Sequence, residues 1–418
     1  MSITVAPARV RPRGVGSGVF NSYRFRPVLY SWNVRFLLFG VRWLDAALAV
    51  PFFLSGSNQL AFTSIEHTTP APLSADSTQN AGGLVAGTLA TMEWGLDRRL
   101  RTAYRLAWEN DLMNRSFDEN ELGTWQDRVR QVADAVRCRV LDHTLRHNGG
   151  YLSQACSSAE VLATLYLRVM NLGPSQGPLI PRPFPGVPGP DNPASFTGAS
   201  YNGPQSPELD RFVFSPVHYA LVLYSVLIEV GRLAENALQQ FNQDGSTVEL
   251  IGAEHSPGHE LTAGSLGQAI SQAGGIALAR RLRGDTGRVW VFMSDGEFQE
   301  GQTWEAFQAL AHYRLGNLGV YVDKNGQQCD GAMSDVMTIE PLADRLRAFG
   351  AEVHEVDGHD PDALAAPADR PVNADRPLVV IAGTDPCRGI ELLRQRAPKL
   401  HYVRFKHQEE FEQMQRLL

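Results

Sequence analysis

The chain has 418 residues, 43% of them hydrophobic and 20% charged, with a formal net charge of −7. That balance leaves no electrostatic footprint for nucleic acid, and the apolar share is ample for a sizeable core. The four cysteines (Cys138, Cys156, Cys329 and Cys387) form no CxxC pair and no zinc-like spacing, which fits a reducing, cytoplasmic setting.

Residues 1–91 read as an N-terminal extension and linker. The first 44 residues carry seven Arg and no Asp or Glu. Such a start suits a transit peptide, or an upstream extension ahead of a functional chain that begins near Met92. A semi-apolar run at 36–56 is interrupted by Arg42 and Asp45, charges that make a membrane span costly, so no membrane association is expected. Residues 63–87 have the Ser/Thr/Ala/Gly/Pro composition of a linker.

From Met92 the texture becomes globular. Helical periodicity marks residues 96–112 and 125–146. Residues 157–170 (SSAEVLATLYLRVM) read as an amphipathic helix, with Ser157 and Glu160 at capping-box spacing. Ten prolines and six glycines then crowd residues 173–207, which predicts an ordered surface loop or lid. Two more helices are expected at 219–235 and 265–282. Apolar runs of strand length at 289–293, 318–322 and 378–382 show no alternation, as suits strands covered on both faces of a parallel sheet. Strand alternating with helix predicts a doubly wound α/β fold, a mostly parallel sheet with helices on both faces, over residues 92–407. A short tail, 408–418, follows.

Residues 288–331 concentrate the chemistry. Asp295 and Asn325 lie 30 residues apart, each at the C-terminal end of a predicted strand, where an open α/β sheet holds its ligand. Asp-Gly and Asn-Gly are also ordinary turn dipeptides, so the joint spacing carries the reading. This stretch resembles the thiamine-diphosphate motif of the transketolase family. Residues 210–231 (DRFVFSPVHYALVLYSVLIEVG), 258–279 (GHELTAGSLGQAISQAGGIALA) and 356–360 (VDGHD) resemble further segments of the same family, in the same order. The likeness spans roughly residues 100–405, the diphosphate-binding (PP) domain.

The resemblance implies thiamine diphosphate and Mg²⁺ (or Ca²⁺ or Mn²⁺) as cofactors. Metal ligands would be the Asp295 carboxylate, the Asn325 side-chain carbonyl and the backbone carbonyl of Gln327. Gly264, Ser265, Leu266, Gly296, Glu297, Asn325, His218 and His401 would face the cofactor. His218 and His259 would act on the sugar, since a near-neutral imidazole can move protons at substrate hydroxyls. His359 reads as a structural turn residue. Glu300 and Glu305 match acidic residues at the family's subunit interface, where the resemblance implies a catalytic part in a buried carboxylate network between two cofactors, although anions also favour any helix start.

Three positions depart from the family pattern. Tyr151 falls where an early histidine is expected, Ser215-Pro216-Val217-His218 lacks the usual lysine, and Ser294 replaces a glycine. The 93 residues after Asn325 are taken up by the end of this domain and the tail. A pyrimidine-binding domain is therefore expected on a separate C-terminal subunit, in an α2β2 assembly. The expected function is transfer of a two-carbon ketol unit between sugar phosphates. A 2-oxo acid decarboxylase component of E1 type and a catalytically silent interaction subunit are the alternatives.

Overall fold

The computed structural model describes residues 123–418, apart from 188, 193 and 194. The extension at 1–91 and the helix expected at 96–112 lie outside the described residues. The chain divides into two units, Met1–Glu93 and Trp94–Leu418, and every described residue belongs to the second.

Strands in chain order are β1 (Arg211–Phe214), β2 (Val289–Ser294), β3 (Leu318–Lys324), β4 (Gln327–Gln328), β5 (Gly331–Ala332), β6 (Glu352–Asp357) and β7 (Leu378–Gly383). Five of them make one parallel sheet in the order β1-β2-β3-β7-β6, while β4 and β5 pair as a small antiparallel hairpin. The uninterrupted apolar runs have a direct cause. Trp290, Phe292, Tyr321 and Val380 point into one core, whereas Val291, Met293, Val320, Val322 and Ile381 point into another on the opposite face. Both faces of a central strand are dry, so no polar residue is needed between apolar ones.

Helices α1 (Trp125–His147), α2 (Leu152–Thr164) and α3 (Ala220–Glu229) close the first core. Helices α4 (Ala269–Arg283) and α5 (Gly301–His312) close the second. The doubly wound α/β expectation is met. Four short helices complete the set among the described residues: α6 (Met333–Val336), α7 (Leu342–Ala348), α8 (Pro361–Ala365) and α9 (Gln408–Gln415). The tail at 408–418 thus holds a helix, seated by buried Met414 and by Phe411 against Phe405.

Several boundaries differ from the sequence reading. Helix α2 begins at Leu152 and buries all 13 residues, so it is not amphipathic, and Ser157 is an interior residue rather than a cap. Its chain continues through a π-turn, Leu165–Val169. Helix α4 starts four residues later than expected because residues 264–267 form a loop. β1 and β6 went unrecognised as strands. The first is only four residues long, and the second is a half-exposed edge strand rich in charge. Among its described residues the proline-rich segment has a 3₁₀ turn, Gly198–Asn202, and an isolated bridge between Gly189 and Asn192, and Arg232 pins it by donating to the carbonyls of Gly173 (2.8 Å) and Tyr201 (2.9 Å). Among the described residues, no helix is long and apolar enough to cross a membrane.

Candidate active site

The C-terminal ends of β1, β2, β3 and β7 carry the polar residues Ser215, Asp295, Asp323, Asn325 and Thr384. Asp295 opens a 3₁₀ turn directly after β2 and is almost fully buried. Its Oδ2 accepts from the Gly326 amide at 2.7 Å, but its Oδ1 makes no hydrogen bond. Burial, reinforced by the nearby Asp323 charge, raises this carboxyl to about 8. A buried carboxylate with a bare oxygen beside a second acid is a poor resting arrangement unless a cation balances it. The neighbouring backbone is open: a Cβ at Gly296 or at Gly326 would meet nothing within 4 Å. Gly326 also has φ +69°, which favours glycine there.

Asn325 immediately precedes Gly326, whose amide binds this carboxylate. Its Oδ1 accepts from the Gln327 amide at 2.9 Å. Its Nδ2 lies 3.0 Å from Asp323 Oδ2, 3.2 Å from the Tyr219 hydroxyl and 3.3 Å from Ser157 Oγ. Gln327 lies on β4, and its side-chain Oε1 is buried without a partner. An octahedral cation takes oxygen donors of this kind, so the residues present fit a divalent metal.

Glu297 is fully buried and its carboxylate is engaged. It accepts from Ser215 Oγ, from the Ser294 amide (2.8 Å) and from Ser294 Oγ (3.2 Å); the Ser294 amide bond and the Glu297 amide, which donates to the Ser294 side chain, together close a capping box. Burial raises it to about 7, opposed by those bonds and by one from the Gly267 amide. Direct cofactor contact, expected from the sequence, is therefore not what its geometry offers. Glu297 instead ties the 264–267 loop to the ends of β1 and β2. Gly264 and Ser265 are exposed, while Leu266 accepts from Gln302 Nε2 at 2.6 Å through its carbonyl.

A second group is built of rings. Tyr151, at the start of α2, meets His218 at 5.4 Å, His401 at 5.4 Å and Tyr402 at 5.0 Å, all edge to face. His218 and His401 lie 5.2 Å apart. Gln154 Nε2 donates to the His401 carbonyl (3.0 Å) and reaches its Nδ1 at 3.3 Å. Burial, and then the neighbouring His401, lower His218 to about 3; burial lowers His401 as well. Both imidazoles are thus neutral. Burial raises the Tyr151 phenol, which stays protonated as a donor.

His259 stands apart from this group. It is sealed, edge-on to Phe214 at 5.4 Å, with Nδ1 toward the Pro257 carbonyl at 3.2 Å and Nε2 unpaired. Its ring backs onto Gly252, where an added Cβ would lie 2.1 Å from Nε2. Burial lowers it to about 4. Contact with a sugar is not available to it in this arrangement. Glu300, the N-cap of α5, and Glu305 in its second turn are exposed. His359 is a framework residue, as expected. It lies 3.1 Å from Glu160 Oε2 through Nδ1 and accepts from the Asp385 amide at 2.8 Å through Nε2.

Sequence reasoning missed Asp323, Ser157, Tyr219 and Thr384. Asp323 accepts from Ser157 Oγ (2.7 Å), Thr384 Oγ1 (2.5 Å), Asn325 Nδ2 (3.0 Å) and Tyr219 OH (3.4 Å). One signal pointed to it: an acid closing the otherwise apolar run of β3.

Comparison with known proteins points the same way. Residues 195–385 match the family model described as transketolase, thiamine diphosphate binding domain. An uncharacterized transketolase family protein of Sinorhizobium fredii is 34% identical over 278 residues, 65% of this chain and 90% of that protein. An apulose-4-phosphate transketolase subunit of Actinobacillus succinogenes is 31% identical over 280 residues, 66% of this chain and 91% of that protein. Among solved structures, Pichia stipitis transketolase complexed with sedoheptulose 7-phosphate superimposes with TM-score 0.53 at 26% identity, covering 67% of this chain and 39% of that one. Campylobacter jejuni transketolase shares the fold with TM-score 0.55 at 20% identity, covering 71% of this chain and 43% of that one. The chain thus spans about two fifths of the length of these solved transketolases.

Proposed function

This chain belongs to the transketolase family, and from that premise we propose that it is the thiamine-diphosphate-binding subunit of a split transketolase. The full enzyme moves a two-carbon ketol unit from a ketose phosphate to an aldose phosphate. One observation carries the site assignment: the bare, buried Oδ1 of Asp295 beside Asn325, under open backbone at Gly296 and Gly326. Asp295, Asn325 and the Gln327 carbonyl would hold a divalent cation, Mg²⁺ with Ca²⁺ or Mn²⁺ as substitutes, against the diphosphate. When bound, thiamine diphosphate supplies the electron sink for breaking a carbon–carbon bond beside a carbonyl.

The chain's own residues then divide the work. The 264–267 loop and the Gly296 backbone would hold the diphosphate, and Glu297 holds that loop in place. His218 and His401, neutral and adjacent, bind sugar hydroxyls and pass protons at them. Tyr151 fixes both rings and offers a hydroxyl where the family places a histidine. A pyrimidine-binding domain comes from a separate subunit, in an α2β2 assembly, with exposed Glu300 and Glu305 facing the subunit interface. A relative that is matched over 91% of its length and is itself named as one transketolase subunit supports that division. Four cysteines without a CxxC pair or a zinc-like spacing support a cytoplasmic location.

The test is to produce the full chain with a pyrimidine-domain partner and follow melting with and without Mg²⁺ and thiamine diphosphate, then assay ketol transfer. A ligand bound to the native state alone raises the melting temperature. A cofactor-dependent rise with transfer from a ketose phosphate is expected. No rise with the partner present would overturn the reading.

A further inference from the structure

Two buried carboxylates stand at neighbouring strand ends, and they are treated oppositely. Asp295 keeps one oxygen without any hydrogen bond. Asp323 is 0% exposed, and both of its oxygens accept hydrogen bonds. Thr384 Oγ1 donates to Oδ1; Ser157 Oγ, Asn325 Nδ2 and Tyr219 OH donate to Oδ2. Asp323 is fully buried with both oxygens engaged by protein donors, so it is not assigned as a metal ligand itself.

Its effect runs through Asn325. A hydroxyl has one proton. Ser157 and Tyr219 direct theirs at Asp323, so their lone pairs are what face Asn325. All three groups around that amide therefore act as acceptors at 3.0–3.3 Å. Only the NH2 end of the amide can sit among them. The carbonyl end must turn away from them, toward the amide of Gln327, the residue after the glycine whose amide binds Asp295. A free asparagine has no such preference, since its two ends are nearly the same shape.

We infer that Asp323 is a positioning residue: with Ser157 and Tyr219 it fixes the flip of the Asn325 amide, so that an oxygen rather than an NH2 faces the cation that holds the diphosphate. The inference rests on the metal-dependent cofactor site proposed above. Outer partners of this kind typically change metal affinity by about 10–100-fold when removed.

The test is a double-mutant cycle on the full chain with its partner subunit, with Mn²⁺ and thiamine diphosphate titrated by calorimetry. Asp323→Asn offers the amide a donor as well as an acceptor, and weakens binding about 10–100-fold. Asn325→Asp replaces the ligand by a carboxylate, which presents oxygen whichever way it turns. In that background Asp323→Asn costs little or nothing. A merely structural role for Asp323 would cost the same affinity in both backgrounds, and that result overturns the inference. So does an unchanged affinity in Asp323→Asn alone. Should either variant fail to fold, Ser157→Ala removes one of the two orienting hydroxyls without a change of charge. It should weaken binding several-fold in the native background, and unchanged affinity there also overturns the inference. Absence of binding by the unmutated complex would sink the cofactor reading, and this inference with it.

Discussion

At the carboxylate cleft, polar side chains on the tips of β1, β2, β3 and β7 are locked by hydrogen bonds from three sides. In the ring group, Tyr151, His218, His401 and Tyr402 meet mostly edge to face, and Gln154 supplies the hydrogen bonds that His401 receives. The first kind of site demands one geometry, because each buried polar atom needs its partner. Ring packing tolerates replacement by another ring of similar size. Tyr151, which departs from the family pattern, lies in the ring group, while Asp295 and Asn325 of the cleft match that pattern; Ser294, the departure inside the cleft, is itself bonded to Glu297.

The largest effect should come from the cleft. Asp295→Ala removes the bare oxygen and should weaken Mg²⁺-dependent thiamine diphosphate binding by at least about 100-fold, as loss of a ligand exceeds loss of its supporting partner. The fold should survive, because the variant removes a buried carboxyl oxygen that has no hydrogen-bond partner. Calorimetric titration of the complex, beside a melt of the ligand-free chain, reads both. Retained affinity would move the metal site elsewhere and dissolve the contrast.

The same cleft predicts a pH dependence. Burial with the Asp323 charge raises Asp295 to about 8, and burial raises Glu297 to about 7. Both carboxyls bind their protons more tightly folded than unfolded. Their contribution to stability is complete below the ordinary carboxylate range near 4, and is lost as pH rises through about 7 to 8. The ligand-free chain should lose on the order of a few kcal/mol across that window. Asp295→Asn should flatten part of the loss, and added Mg²⁺ should restore stability at the alkaline end. Urea unfolding at stepped pH measures it; a flat profile would mean the cleft carries no uncompensated charge.

How much of this was legible beforehand follows the same divide. The central strands are plain in the sequence, because burial on both faces leaves continuous apolar runs. Asp295 and Asn325 are plain because Asp-Gly and Asn-Gly end such runs. The partners that lock them are not. Ser157 carries the Ser-x-x-Glu spacing of a helix cap, but tertiary structure starts α2 earlier and commits both residues to other bonds, Ser157 to Asp323 and Glu160 to Arg137 and His359. Local spacing contains no record of a partner 166 residues away. His259 shows the reverse error. Its motif places it by analogy with the ring group, yet the fold seals it behind Phe214 and Gly252.

A smaller effect is expected from the framework behind the cleft. Burial pushes the Glu160 carboxyl up, but His359 and Arg137 outweigh it and hold it below the usual range. His359→Ala takes one partner from Glu160 and leaves the Asp385 amide without its acceptor. The cost should be about 1–3 kcal/mol of stability, with cofactor affinity in the folded complex nearly unchanged. A change in affinity larger than the change in stability would make His359 part of the site rather than of its support.

The smallest effect should lie at Tyr151, and it sharpens the comparison most. If ring packing organises this group, Tyr151→Phe keeps every edge contact and should hold kcat/KM within about threefold, whereas Tyr151→Ala frees His218 and His401 and should cost about tenfold or more. If the phenol instead donates to the sugar, the two variants should fall together, since both lack the hydroxyl. Steady-state transfer kinetics on the complex separate these outcomes. A Phe variant as impaired as the Ala variant would show that the ring group, like the carboxylate cleft, depends on one hydrogen bond in one place.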